Sequence, residues 1–331
     1  DNRDGFVAKL SPDGKKVLWA TLLGGSRRDD VYAVRTDRAG NIYAVGATGS
    51  PDFPTTPGAY DETFNGPINP DGLGDIFLTK FSPNGELLFS TFIGGSTKNK
   101  RDEENPRGAI FVDSERDRIY VAGMTSSADF PVTSGAFQTS YAGGKYDSFV
   151  FAMSTDGTTL LYSTFIGGSG DDSAPTSLLM HPDGSIYIGG ATSSPDLPVT
   201  ENAFQRRLAS GKASESWWDN GDGFAARISA ELDELIYLTY LGGDNLDFVS
   251  HNQGMAIDSN GQLVVTGGTR SSDFPQVGGA SEFGAKGKLD VFIAVLSEDG
   301  SRLIRATRIG GSAADDLSGV FVDDQDRIYF T

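Results

Sequence analysis

The chain has 331 residues, of which 27 are basic and 45 acidic, so its formal net charge is −18. That charge repels nucleic acid and anionic membrane surfaces, and neither is an expected partner. The absence of Cys excludes disulfides, thiolate metal ligands and a cysteine nucleophile, and no stretch approaches the roughly 18 apolar residues of a membrane span.

The N-terminal string DNRDGFVAKL contains neither an initiator Met nor a signal peptide. We therefore expect a processed mature protein or a piece of a longer one. Asp4 opens a strand that the turn SPDGK connects to a second strand ending in Gly-Gly. Pro, Asp and Gly in a short turn are typical of a tight β-hairpin.

This hairpin recurs along the chain. Its first strand returns as DGFVAKLS, DIFLTKFS, DSFVFAMS, DGFAARIS and DVFIAVLS. Its second strand returns as LWATLLGGS, LFSTFIGGS, LYSTFIGGS, IYLTYLGGD and IRATRIGGS, ending at Ser26, Ser96, Ser169, Asp244 and Ser312. Successive copies therefore lie 70, 73, 75 and 68 residues apart.

A second hairpin follows each Gly-Gly, most clearly in VYAVRTDRAGNIYAVG and GVFVDDQDRIYF. Four of its copies run into a Gly-x-Thr-x-Ser-x-Asp-Phe/Leu-Pro segment, namely GATGSPDFP, GMTSSADFP, GATSSPDLP and GGTRSSDFP. The repeating unit is thus four short strands in two hairpins, and this pattern indicates an all-β β-propeller.

The same strings resemble the bacterial β-propeller repeat family known as SBBP, whose pattern DGFVAKLSPDG, STFIGGSGDD, GNIYAVGAT and DFPTTPGAY all follow. The resemblance covers nearly the whole chain. It implies a propeller in exported or surface proteins of bacteria, at the cell surface, outside the cell or in the periplasm. The family has no uniform activity that the resemblance would bring to this chain.

The repeat predicts a single domain over residues 1–331 with five four-stranded blades. Four blades are expected at about 30–93, 108–166, 176–241 and 254–309. The fifth would combine the C-terminal hairpin 319–331 with the N-terminal hairpin 4–23 and so remove exposed sheet edges. The alternative is a fragment of a larger propeller.

The string STFIGGS occurs at Ser90–Ser96 and at Ser163–Ser169. A phosphate-binding loop would need a helix to follow the glycines, and none is predicted. We interpret STFIGGS as the end of an outer strand plus a turn that crosses to the next blade. Glycine is expected there because it adopts backbone angles closed to other residues.

Acidic pairs follow three of these crossings, on the face where the loops are long and variable and where binding is expected. The pairs are Asp29 and Asp30, Asp171 and Asp172, and Asp315 and Asp316. They are candidate ligands for calcium at the mouth of the channel. The alternative is that each Asp caps backbone N–H groups in its turn, which we favour because no compact Asp-x-Asp-x-Asp loop is present.

The insertion Arg206–Gly223 carries the candidate binding residues Trp217, Trp218, Asp219 and Asn220. Adjacent Trp side chains suit stacking on a sugar ring or anchoring a protein partner. They would equally suit covering the end of blade three, and the sequence leaves both interpretations open.

Two irregular crossings, Ser96–Gly108 and Gly243–Gly254, are interpreted as decoration rather than sites. The two histidines, His181 and His251, are too few for a His-rich zinc centre. His181 is expected to cap its turn, and His251 is a weak candidate for a catalytic triad.

The first strand of every repeat begins with Asp and has Phe two residues later. The Asp residues, expected to bind backbone at the strand start, are Asp4, Asp75, Asp147, Asp222 and Asp290. The Phe residues, expected to pack between blades, are Phe6, Phe77, Phe149, Phe224 and Phe292.

The sequence therefore predicts a non-catalytic, exported or cell-surface propeller that binds a protein or polysaccharide through its long-loop face, as a module or subunit of a larger assembly. The alternative is a glycosidase-like enzyme, because glycoside cleavage needs two suitably spaced carboxyl groups. Its candidate residues outside the repeat are Glu103, Glu104, Glu215 and Asp247.

Overall fold

The computed structural model describes residues 3–66, 73–96, 104–173, 177–210, 221–230, 233–250, 253–277 and 288–331. Over these ranges the chain is all β and contains no helix, and hence no helix long and apolar enough to span a membrane. The strands are β1 (Gly5–Leu10), β2 (Val17–Leu23), β3 (Asp29–Thr36), β4 (Ile42–Thr48), β5 (Asp75–Phe81), β6 (Leu87–Ile93), β7 (Asn105–Asp113), β8 (Arg118–Thr125), β9 (Asp147–Ser154), β10 (Leu160–Ile166), β11 (Ser177–Met180), β12 (Ile186–Thr192), β13 (Asp222–Ile228), β14 (Leu235–Leu241), β15 (Asp247–Val249), β16 (Met255–Ile257), β17 (Leu263–Thr269), β18 (Asp290–Leu296), β19 (Leu303–Ile309), β20 (Val320–Val322) and β21 (Ile328–Phe330).

The strands assemble in chain order into sheets of two hairpins. Three sheets have the orders β3-β4-β5-β6, β7-β8-β9-β10 and β11-β12-β13-β14. In the next sheet, β17, β18 and β19 are adjacent, and β15 and β16 both pair with β17. Neighbouring strands are antiparallel, as in β3–β4, β4–β5 and β5–β6. The predicted unit of two hairpins is thus seen in each of these sheets.

The short turns have the predicted chemistry. In the turn of β5–β6, Ser82 and Gly85 close a backbone hydrogen bond of 3.0 Å, and Gly85 has a φ of 87°. This left-handed conformation favours glycine. The same turn position is held by Gly14, Gly157 and Gly300, all with positive φ.

The described chain divides into two compact units. One comprises Asp1–Tyr141 with Phe149–Thr164, and the other comprises Ala142–Ser148 with Phe165–Thr331, so the division passes through β9 and β10. In the first unit, Phe53 of an Asp-Phe-Pro segment stacks on Phe77 with ring centroids 4.4 Å apart. In the second unit, Phe274 stacks on Phe292 at 4.5 Å. These repeated stacks lie in hydrophobic clusters that each join two neighbouring sheets.

The two terminal hairpins form two-stranded sheets, β1–β2 and β20–β21. Phe6 of β1 is 68% exposed, whereas Phe77 at the same repeat position is fully buried. Phe77 and Phe292 lie in the clusters that join neighbouring sheets, and Phe149 and Phe224 are also buried, whereas no sheet covers Phe6 in this structure. The shared fifth blade stays a prediction.

Candidate functional site

At the crossing from one repeat to the next, a buried carboxylate accepts hydrogen bonds from the Gly-Gly backbone and from two hydroxyl groups. In the third repeat, Asp172 accepts hydrogen bonds from the backbone N–H of Gly168 at 2.7 Å, from Ser194 Oγ at 2.9 Å and from the hydroxyl of Thr192. We call this arrangement the crossing clamp. It recurs with Asp29 as acceptor for Gly25, Thr48 and Ser50.

The same clamp explains the Gly-x-Thr-x-Ser-x-Asp segment. Its Thr and Ser are the hydroxyl donors to the clamp carboxylate. Its Asp accepts the backbone N–H of the residue after Gly-Gly, as in Asp196 with Ser169 at 2.8 Å and Asp273 with Asp244 at 2.7 Å. The recurring polar residues of the crossing therefore bind one another, and the capping interpretation of the acidic residues is confirmed for Asp29 and Asp172.

In the second repeat the clamp acceptor is a glutamate. Glu104 Oε1 accepts the N–H of Gly95 at 2.7 Å and lies 3.3 Å from Thr125 Oγ1. Glu104 and Asp247 were both candidates for glycoside cleavage. Asp247 likewise accepts from Gly243 at 2.7 Å and from Ser271 at 2.6 Å, so both carboxylates belong to the clamp.

The Asp that opens each repeat lies across the first crossing glycine from the clamp carboxylate. A Cβ on Gly167 would lie 2.7 Å from Asp147 Oδ1 and 2.9 Å from Asp172 Oδ2. Three of these Asp residues accept backbone N–H groups from the segment ahead of their strands: Asp147 from Ala142 at 2.6 Å, Asp75 from Asn65 at 2.7 Å and Asp222 from Ala209 at 2.8 Å.

The Gly-Gly pairs were expected because glycine adopts unusual backbone angles, and the structure shows a different reason. No glycine of the five Gly-Gly pairs has a positive φ. A Cβ on Gly95 would instead lie 2.5 Å from Ser127 Cβ and 2.6 Å from Asp129 Oδ1. Glycine is required at the crossing by the absence of space rather than by backbone angle.

Burial perturbs the acidity of these paired carboxyl groups. Removal from water disfavours the charged form and raises the pKa of Asp147 to about 8 and that of Asp172 to about 7. It also raises the pKa of Asp222 to about 6 and that of Asp247 to about 7. In each pair the second carboxylate adds to the increase, because like charges repel.

The other members of the predicted calcium pairs lie beside the clamp. Asp30 forms ion pairs with Arg3 at 2.9 Å and Arg28 at 2.7 Å. Asp171 accepts the N–H of Lys145 at 2.6 Å. Across the described ranges, no group of three or more His, Cys, Asp or Glu side chains has a geometry that would hold a metal ion.

The last crossing has a reduced clamp. Asp315 accepts the N–H of Gly311 at 2.6 Å, and Asp316 accepts that of Leu317 at 2.8 Å. Calcium binding by the three acidic pairs stays a prediction.

The predicted binding residues Trp217, Trp218, Asp219 and Asn220 lie outside the described residues, as do Glu103, Glu215 and His251. The structure does describe the base of that insertion. Asp222 accepts from the N–H of Ala209 at 2.8 Å and from Gln205 Nε2 at 2.8 Å. Asp222, at the C-terminal end of the insertion, therefore binds Ala209 near its N-terminal end.

A charged cluster that the sequence did not indicate surrounds Arg227, which is 4% exposed. Its guanidinium donates to Ser185 Oγ at 2.8 Å, to the carbonyl of Glu298 at 3.0 Å and to Asp183 Oδ2 at 2.7 Å. His181 Nδ1 lies 3.2 Å from the same guanidinium. His181 thus belongs to a cluster as well as to its turn, where it binds the N–H of Asp183 at 3.3 Å.

A similar contact with fewer hydrogen-bond partners occurs in the first unit. Lys80, at the position of Arg227 in its repeat, donates to the carbonyl of Thr155 at 3.0 Å and lies 4.9 Å from the centre of the Tyr43 ring. Arg227 lies 5.2 Å from the centre of the Tyr187 ring. The Arg227 cluster is therefore a repeated contact between a strand side chain and a turn carbonyl, enlarged by His181 and Asp183.

A cavity of about 450 Å³ opens beside Arg227. Its wall includes Ile236 of β14 and the turns β16–β17 and β18–β19. The cavity therefore lies among the short turns, whereas the sequence indicated the long-loop face. The signal that was available in the sequence is the change from Lys to Arg at position 227.

Comparison with known proteins confirms the resemblance. The family model described as Beta-propeller repeat (SBBP) matches residues 18–54, which run from β2 through the first Asp-Phe-Pro segment. Residues 18–54 accordingly match a β-propeller repeat, and the described chain as a whole is all β. No curated protein matches the sequence.

Among solved structures, the chain is similar to quinohemoprotein alcohol dehydrogenase ADHIIG from Pseudomonas putida, at 10% identity and a TM-score of 0.47 over 95% of this chain and 52% of that one. It is similar to an endo-arabinase from Bacteroides thetaiotaomicron at 12% identity and a TM-score of 0.36, over 93% and 91% of the two chains. The chain thus spans about half the length of the dehydrogenase. Similarities this distant carry nothing about activity.

Proposed function

We propose that this chain is a non-catalytic binding module, exported or at the bacterial cell surface, that presents variable loops to a protein or polysaccharide. The observation that carries the proposal is the anchoring of the insertion Arg206–Gly223 on buried Asp222. A fixed base lowers the conformational entropy that a loop loses on binding. The adjacent Trp217 and Trp218 of this insertion supply the aromatic surface that sugar and protein partners use.

The different roles of the recurring and the variable segments of the repeat support the same proposal. The recurring Asp, Thr and Ser of the crossing are engaged with one another in the clamp, as shown by Asp172 with Thr192 and Ser194. The segments that depart from the repeat are added to this framework. Variable loops on a rigid scaffold are the usual place for binding residues.

The non-catalytic character is part of the proposal. Two of the carboxylates considered for glycoside cleavage, Glu104 and Asp247, accept backbone N–H groups in the clamp. The opening Asp of the repeat faces Asp247 across Gly242, where a Cβ would lie 2.8 Å from Asp247 Oδ2. Backbone therefore fills the space that a sugar would need between these two carboxyl groups.

The test is a glycan array and a pull-down from bacterial envelope extract with the wild type and the Trp217→Ala/Trp218→Ala variant. We expect the double substitution to weaken binding at least tenfold, because aromatic anchors dominate such interfaces. Leu161→Ala, which changes an exposed apolar side chain of β10, is the matched control and should bind as the wild type does. Equal binding by the double variant, or hydrolysis of aryl glycosides by the wild type, would contradict the proposal.

We also propose five blades, the fifth built from the terminal hairpins. The exposed apolar side chains Phe6 and Leu22 on β1–β2 support this proposal because a complete blade buries the equivalent Phe77 and Phe92. Under it, Phe6→Ala should cost roughly 3 kcal/mol of unfolding free energy, comparable to Phe77→Ala. A loss confined to Phe77→Ala in urea unfolding would show that Phe6 has no partner in solution.

A further inference from the structure

The cavity beside Arg227 has walls of fixed geometry. Asn260 and Gln262 come from the β16–β17 turn, and Glu298, Asp299 and Arg302 come from the β18–β19 turn. In the first turn, Gly261 and Asp258 close a backbone hydrogen bond of 3.1 Å. In the second, Asp299 accepts from Ser297 and Ser301, and its carbonyl accepts from Asn202 at 2.8 Å. These turns need no reordering to meet a ligand.

The lining offers both donors and acceptors. Within the described part of the chain, the side-chain amides of Asn260 and Gln262 and the guanidinium of Arg302 have no hydrogen-bond partner. An amide presents two N–H donors and a carbonyl acceptor side by side. Ile236 adds an apolar surface to the same wall. This combination matches a ring that carries hydroxyl groups at its edge and C–H groups on its face.

The charges of the lining balance. The lining contains two basic side chains, Arg227 and Arg302, and two acidic ones, Glu298 and Asp299, so its formal net charge is zero. The guanidinium of Arg227 is already engaged with Asp183 and Glu298. The net charge of −18 repels anions from the chain as a whole. A neutral ligand is therefore favoured over a phosphate or a carboxylate.

We propose that this cavity is a second binding site, separate from the Trp217 insertion, and that it takes a neutral saccharide. Its volume of about 450 Å³ lies within the roughly 300–1,000 Å³ of small-molecule sites and suits one or two sugar rings. Asn260 and Gln262 provide the specific hydrogen bonds, and Ile236 contacts the face of a ring.

The test is saturation-transfer NMR and calorimetric titration of the whole chain with cellobiose, maltose, xylobiose and N,N′-diacetylchitobiose at millimolar concentration. We expect at least one disaccharide to bind the wild type, and Asn260→Ala/Gln262→Ala to weaken it at least tenfold. Arg302→Ala should weaken it severalfold. Thr159→Ala, at the position of Arg302 in the third repeat, is the matched control and should leave binding unchanged.

Two further measurements separate this site from the proposed function. Trp217→Ala/Trp218→Ala should leave disaccharide binding at the cavity intact, and digalacturonate should not compete with the disaccharide. Loss of binding in the Trp variant would support the insertion as the site and overturn the cavity proposal. No binding by any of the four disaccharides, binding of digalacturonate alone, or wild-type binding by Asn260→Ala/Gln262→Ala would also overturn it.

Discussion

The two ends of the strands handle charged residues differently. At the crossing end, the carboxylates Asp29, Asp172 and Asp247 have equivalent partners in their respective repeats. At the turn end, the equivalent side chain is Lys80 in one repeat and Arg227 in another. Only Arg227 gathers a histidine and two carboxylates around it.

This difference distinguishes framework from variation. A polar residue that recurs with the same partners stabilises the fold, because each copy meets the same packing requirement. A residue that gains partners in only one copy meets a requirement that the shared fold does not impose. We therefore attribute the crossing clamps to stability, and the binding proposed for the cavity beside Arg227 rests on this departure from the repeat.

The largest effect is expected at the crossing, from an added methyl group. A Cβ on Gly243 would lie 2.4 Å from Asp273 Oδ1 and 2.8 Å from Ser271 Cβ. Gly243→Ala should lower the free energy of unfolding by about 3 kcal/mol, at the upper end of overpacking costs. Urea unfolding followed by tryptophan fluorescence measures it.

The control lies at the same motif position. At Gly311 a Cβ would meet only Asp315 Oδ2, at 3.7 Å, because no Thr-x-Ser-x-Asp segment packs there. Gly311→Ala should therefore change stability by less than about 0.5 kcal/mol. Similar losses for both substitutions would show that the clamp does not set the requirement for glycine.

Much of the fold was predictable from the sequence because its signals are local. The Gly of SPDGK-type turns and the alternation of strands such as DIFLTKFS require only neighbouring residues, and both are seen in β5–β6. The requirement for Gly-Gly was assigned to the wrong cause. Its partners, such as Asp52 for Ser26, lie 26 residues away, and that contact exists only after the blades pack.

A smaller effect is expected at the turn end. Arg227→Met removes hydrogen bonds to Ser185, Asp183 and the carbonyl of Glu298, and should cost about 2 kcal/mol of unfolding free energy. Lys80→Met removes one to the carbonyl of Thr155 and should cost about 1 kcal/mol. Urea midpoints of the two variants give the comparison, and an equal loss would reduce the Arg227 cluster to an ordinary repeat contact.

The candidate cavity was less predictable than the fold. Arg227 meets Ser185, Asp183 and Glu298, which are 42, 44 and 71 residues distant. No local pattern joins residues so far apart. The short turns also hid the site, because turns that repeat so regularly were expected to have only a structural role. The single clue was Arg at a position where two other repeats have Lys9 and Lys80.

A further expected effect concerns pH and the pair Asp222 and Asp247. Burial raises both pKa values, to about 6 and about 7, from an unfolded value near 4. The folded state therefore binds protons more tightly, so the stability these groups contribute is fully present below about pH 4. It is lost as the pH rises through 6 and 7, and the unfolding temperature should fall between pH 5 and pH 8.

Asp247→Asn should reduce that fall, because it removes the charge and keeps an acceptor for the N–H of Gly243 and the hydroxyl of Ser271. One pKa unit of difference between the folded and unfolded states corresponds to about 1.4 kcal/mol. Asp299→Asn is the control, since hydrogen bonds from Ser297 and Ser301 lower the pKa of Asp299 to about 2 and its titration ends below pH 5. If the unfolding temperature of Asp247→Asn falls as much as that of the wild type, water reaches the clamp carboxylates. The crossing carboxylates would then behave as the exposed turn carboxylates do.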